Sequence, residues 1–91
     1  MKYYLRWTAK EIDGLDKSGM RELLTEVNEQ GTVLREVGFD DAGLIHKAPT
    51  EKSPRGFFDQ ARISRASLRN DLASEQFESF WKLGIGDQKP D

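Results

Sequence analysis

Glu22, Glu26 and Glu36, together with His46, are the side chains of this chain whose types and spacing could do chemistry in concert. Carboxylates held side by side attract cations or a basic partner, and a carboxylate beside a histidine can raise its pKa or form half of a metal site. A stable metal site needs three or four ligands, and one histidine without any cysteine supplies too few, so no metal or cofactor is expected. Asp40 and Asp41 are adjacent carboxylates, but their place before Gly43 suits a turn better than acid/base catalysis. Gly38 and Gly43 fall within a hairpin pattern, not between a strand and a helix N-terminus, so there is no phosphate loop. The sequence therefore predicts no enzyme. Arg62, Arg65 and Arg69 could form a basic strip for phosphates, but aromatics do not interleave these three, so a nucleic-acid-binding or regulatory module using Arg55 with them, over residues 55–69, is the lesser alternative.

The glutamates can act together only if the backbone sets them on one face. Asn28-Glu29-Gln30-Gly31 and Asp40-Asp41-Ala42-Gly43 repeat one polar turn pattern twelve residues apart. The Asx side chain can bond the backbone ahead, and the glycine can take the left-handed conformation that closes a hairpin. Residues 20–27 also fit an amphipathic helix, with Met20, Leu23, Leu24 and Val27 at helical spacing, but the repeated turns favour strands at roughly 21–28, 32–39 and 44–48. If Asn28 closes on Thr32 and Asp40 on Leu44, the faces follow. Leu23, Val27, Val33, Val37, Phe39 and Ile45 form the core side, interrupted by Thr25, Arg35 and Lys47. Glu22, Leu24, Glu26, Leu34, Glu36 and His46 form the opposite, partner-binding face, with His46 near Glu22.

Around this meander the chain offers a first strand at residues 2–8, a loop at 9–19 and a second loop at 49–56. Phe57 and Phe58 should plug an edge of the core, and a short strand is expected near 61–67. Ser74 should cap a helix through Leu83, with Phe77, Phe80 and Trp81 on one side and Gly84 as its stop. The fold class predicted is α+β, an antiparallel β-sheet meander with a C-terminal helix packed on one face, in a single domain of residues 1–84 with a flexible tail at 85–91. With 91 residues, 36% of them hydrophobic, the core must be thin. The absence of cysteine suits a reducing cytosol, and the first residues lack the apolar run of a signal peptide, so a soluble, cytoplasmic protein without membrane contact is expected. A net charge of −2 hides segregation: nine acids against four basic residues in 10–46, then six basic residues against two acids in 47–69. Such unevenness suggests electrostatic choice of partner.

The segments YYLRWT, TEVNEQGTVLREVGFDDAGLIHKAP, RGFFD and SEQFESFW, in that order, resemble small bacterial proteins found as immunity proteins beside polymorphic or contact-dependent toxins. The likeness covers most of the chain, with 10–19 and 62–70 outside it. It implies a sheet with a C-terminal helix and a binding role without catalysis, and it assigns no functional residue. The expectation is an immunity protein that neutralises a cognate toxin, a nuclease, by setting the acidic face into its basic cleft. Glu26 and Glu36 would be the leading anchors, with Leu24 and Leu34 as apolar contacts between the charges.

Overall fold

The computed structural model describes residues 1–89. Four strands, β1 (Lys2–Thr8), β2 (Glu22–Asn28), β3 (Val33–Phe39) and β4 (Leu44–Ala48), form one antiparallel sheet in the order β1-β2-β3-β4. One helix, α1 (Ser74–Trp81), follows a long irregular segment and packs on one face, so the fold is α+β as the sequence predicts.

Both polar turns form, and the first closes as expected, whereas in the second Asp40 N–H donates to Gly43 O at 3.0 Å and Phe39, not Asp40, pairs with Leu44. The Asn28 N–H donates to Thr32 O at 3.0 Å, and its side-chain oxygen accepts from the Gln30 and Thr32 amides, each at 3.0 Å. Gly31 takes φ +84°, the left-handed position that this turn requires. Asp40 repeats the device, with its Oδ1 accepting from Ala42 N at 2.8 Å and Gly43 N at 2.9 Å. Val27 then pairs with Val33, but the register shifts between Val27 and Glu26, and Glu26 pairs with Arg35, Thr25 with Glu36 and Leu24 with Val37. Leu34 is the extra residue. Because side chains alternate with period two, one bulged residue reverses the facing of all β3 beyond it relative to β2. The expected three-glutamate face does not form for this reason.

A second departure concerns what covers the sheet. On one face α1 sets the buried Phe77 and Phe80 against Leu24, Val37, Phe39 and Leu44. A fully buried side chain such as Phe77 contributes about 1.5–3 kcal/mol. The helix thus covers the side of β2 that was expected to meet water, and the side expected to lie beneath the helix is roofed by irregular chain instead: Leu15 and Met20 pack on Leu23, while Ile63 packs on Leu5 and Val27, with Phe58 and Trp7 between these two clusters. The domain therefore has three layers rather than two. Residues 23–27 of β2 are all buried, which explains why their pattern imitates a helix: a strand covered on both faces has no reason to alternate.

The ends of elements differ in detail. Ala73, not Ser74, occupies the N-cap position of α1, and its backbone N–H donates to the Gln76 side chain at 2.9 Å. The helix ends at Trp81, two residues before the expected Leu83. In place of a strand at 61–67 there is a single bridge between Thr32 and Arg62 and a short 3-10 turn at Arg65–Ser67. The described part of the tail is bonded to the sheet edge. Gly86 N donates to Leu44 O at 2.8 Å, Leu44 N donates to Asp87 O at 2.7 Å, and Lys89 pairs with Glu22. Residues 90–91 of the expected tail lie outside the described residues. Among those described, no helix is long and apolar enough to cross a membrane.

Candidate functional site

The six residues expected on one partner-binding face are divided between two faces and largely withdrawn from solvent. Leu24 is fully buried beneath α1, Glu26 is 2% exposed and Glu36 is 1% exposed. Glu22 and Glu26 share the helix side with Arg35, whereas Glu36 and His46 lie on the opposite side under the 53–58 loop. Leu34, the bulged residue, is half-buried. The carboxylates thus point away from one another, and an acidic surface built from them does not exist.

What they form instead are two separate anchors. Arg35 grips Glu26 with a two-pronged fork, Nε to Oε1 at 2.9 Å and a terminal nitrogen to Oε2 at 2.7 Å, and Tyr4 O–H donates to the same Oε2 at 3.0 Å. The guanidinium also pairs with Glu78 of α1 and lies 5.0 Å from the ring centres of both Phe77 and Trp81. One arginine therefore ties β2, β3 and α1 together. The forked hydrogen bonds of Arg35 hold the Glu26 carboxyl below its ordinary pKa despite its burial. Hydrogen bonds from Glu26 and Glu78 push Arg35 up in turn, and burial, reinforced by the bond to Glu26, raises the Tyr4 hydroxyl. Three hydrogen bonds fill all but one of the roughly four lone-pair sites of this buried carboxylate, leaving little for an outside partner.

Glu36 is the second anchor. Its oxygens accept from the backbone N–H groups of Phe57 and Phe58, the latter at 2.8 Å, and from His46 Nε2 at 2.8 Å. Gly56 passes so close that a Cβ there would meet the carboxylate at 2.7 Å. The interaction holds the Arg55-Gly56-Phe57-Phe58 run against the sheet, letting Phe58 reach Trp7 at 5.5 Å between ring centres. His46 is thus committed to Glu36, not to Glu22 as the expected register had it. Among the described residues no group of three or more His, Asp or Glu side chains is placed to hold a metal ion.

Of the basic strip, Arg69 is engaged: it pairs with Asp71 at 2.8 Å and Glu11 at 3.3 Å and lies 4.9 Å from the Trp7 ring centre. Arg55, Arg62 and Arg65 are exposed and make no ion pair among the described residues.

The feature that sequence reasoning missed lies along β4. The outer edge of β1 is closed, since Tyr4 N donates to Asn70 Oδ1, Asp71 N to Tyr4 O and Arg6 N to Asp71 Oδ2. On β4 only Leu44 is closed in this way, by Gly86 and Asp87. From Ile45 to Ala48 the strand makes no backbone hydrogen bond beyond its pairing with β3 among the described residues. This open edge floors a groove of about 570 Å³, walled by residues 50–53 on one side and by Gly84 and Ile85 on the other. Ile45 and Ile85, at 38% and 67% exposed, are the exposed large hydrophobic residues of the described chain apart from Met1, and both line it. Ile45 had been expected in the core. It is the extra residue of a second register shift, left unpaired between Leu44 opposite Phe39 and His46 opposite Gly38, and this takes it out. The sequence carried one usable signal, an isoleucine in a tail otherwise made of glycine and polar residues.

Comparison with protein-family models, with curated proteins and with solved structures gave no match.

Proposed function

We propose that this chain is a protein-binding domain without catalysis, acting as an immunity protein that neutralises a cognate bacterial toxin. The observation that carries the reading is the combination of saturated anchors inside and an open, apolar-lined strand edge outside. Carboxylates that bind backbone amides and a forked guanidinium stiffen a scaffold. An unpaired edge beside exposed isoleucines offers binding energy to another polypeptide. The resemblance of the ordered segments to small immunity proteins supports the same reading. An acidic plug for a nuclease cleft is no longer part of it, because Glu26 and Glu36 are buried and spoken for. Mixing the purified chain with the toxin domain encoded beside it tests the proposal. A stoichiometric complex with loss of toxicity is expected, and neither complex nor protection refutes it.

A second reading keeps nucleic acid as the partner, favoured by the exposed Arg55, Arg62 and Arg65. Binding of labelled RNA or DNA that weakens steeply with salt, and weakens further in Arg62→Ala, would move the assignment there.

A further inference from the structure

We propose that the β4 edge groove takes an extended, acidic segment of the partner protein, which adds to the sheet as a fifth strand. This deepens the protein-binding reading above and rests on it. The backbone supplies the first reason. Peptide groups at an open edge bond an incoming strand as readily as they bond a neighbour within the sheet, and the opposite edge of this sheet is already blocked by Asn70 and Asp71. Three residues, Ile45 to Lys47, line the groove and offer about 10 Å of edge at roughly 3.3 Å per residue. That length fits a short strand. Side chains supply the second reason, since Ile45 and Ile85 give an incoming apolar residue a place beside the backbone.

Charge selects the occupant. The groove carries Lys47 and Lys52 against Glu51. Lys47 is fixed by donation to Leu83 O at 3.0 Å, with its ammonium 4.9 Å from the Trp81 ring centre. Lys52 is exposed, and Arg55, exposed and without an ion pair among the described residues, follows it three positions on. A segment alternating apolar and acidic side chains satisfies the edge, the isoleucines and this positive bias together. A second copy of the chain does not. Antiparallel pairing of β4 with itself keeps the two Lys47 residues opposite or within about two positions of each other, and bringing like charges together is unfavourable. So short an edge also falls well below the roughly 1,200 Å² of a stable specific interface unless the partner adds contacts elsewhere.

The probe is a blocked hexapeptide of alternating valine and glutamate, titrated into the isotopically labelled full chain and followed by backbone amide shifts. Shifts confined to residues 45–48, 50–53 and 84–86 are expected, with binding about tenfold weaker in Ile45→Glu and for a peptide with lysine in place of glutamate. Ile45 is already partly exposed, and an unchanged melting temperature shows that the variant folds. No shifts at millimolar peptide, shifts elsewhere, or equal binding of the lysine peptide overturn the proposal. A concentration-dependent dimer that Ile45→Glu abolishes gives the edge to a second copy and overturns it too. The toxin assay separates this idea from the reading beneath it. If wild type protects and Ile45→Glu does not, both stand; if Ile45→Glu protects equally well, the groove is the wrong surface while the inhibitor reading survives. If wild type itself neither binds nor protects, the inhibitor reading falls, and the peptide titration decides the groove alone.

Discussion

Replacing Arg35 with methionine removes the guanidinium that holds Glu26 while keeping a side chain able to lie against Phe77 and Trp81. Glu26 is 2% exposed, and the partners left to it are the Tyr4 hydroxyl at 3.0 Å and Lys2 at 3.8 Å. Breaking a buried pair from one side costs about 3–5 kcal/mol, because the remaining charge stays in a poorly solvated place. Against the 5–15 kcal/mol that typically holds a domain, such a loss is large enough to read from urea unfolding. Removing both charges, in Glu26→Gln with Arg35→Met, should recover most of it, since no ion is then stranded.

The pH dependence gives a sharper test. In wild type the Glu26 carboxyl titrates below its unfolded value, so the folded state binds fewer protons; this stabilisation is complete above the unfolded pKa and fades as pH falls through the depressed one. In Arg35→Met, burial dominates and pushes the carboxyl up. The folded state then takes up the proton first, so the variant should gain stability as pH drops from 7 toward the ordinary carboxylate range of about 4–5, while wild type does not. Urea midpoints between pH 4 and 8 measure both slopes. A cost below about 1 kcal/mol together with a wild-type pH slope would show that the fork is an ordinary surface pair and refute the reasoning.

Glu36→Gln keeps one carbonyl acceptor but not two, so the variant should lose about 1–3 kcal/mol, and exchange of the Phe57 and Phe58 amides with deuterium should accelerate more than that of β2. Gly31→Ala combines φ +84° with a Cβ placed 2.1 Å from Ile63 O, a backbone atom that cannot swing aside, and a cost of at least about 1–3 kcal/mol is expected by urea unfolding. Asn28→Ala removes the acceptor of two turn amides and should cost about 1–2 kcal/mol, whereas Asn28→Asp, which keeps the acceptor, should cost much less.

How much of this was legible in the sequence follows from where each instruction resides. The meander and its turns were readable because Asn28, Gly31, Asp40 and Gly43 act locally, through bonds to amides two to four residues away. The helix was readable because Phe77, Phe80 and Trp81 sit at helical spacing after a polar start. The bulge at Leu34 was not, since neither glycine nor proline marks it and Leu34 itself suits a regular strand. It is a compromise of the whole molecule: with it, Arg35 faces Glu26 under α1 and Glu36 reaches the amides of Phe57 and Phe58 on the far side. Without it, Arg35 and Glu36 exchange faces and both anchors are lost. The candidate face failed at this residue and through the docking of α1 over Leu24 and Glu26, since a correct turn fixes the first pair of a hairpin and says nothing of the third or of what covers it.

The same accounting changes what the uneven charge of the chain means. Much of the acidic excess of residues 10–46 is spent internally: Glu26 on Arg35, Glu22 on Arg6 and Lys89, Glu11 on Arg69, and Glu36 on amides and His46. The basic residues of 52–65 find no such partners among the described residues. A glutamate therefore advertises a binding face only while it is unpaired, and here the surplus left for outside recognition is positive, with Lys47 and Lys52 lining the groove itself. If that surplus helps to draw in an acidic segment, raising salt should slow association with the partner much more than it speeds dissociation, because screening acts on the approach while strand pairing at the edge sets the residence time. Association rates that ignore ionic strength would break the link between the unpaired cations and the groove, leaving Ile45 and Ile85 to explain binding by apolar contact alone.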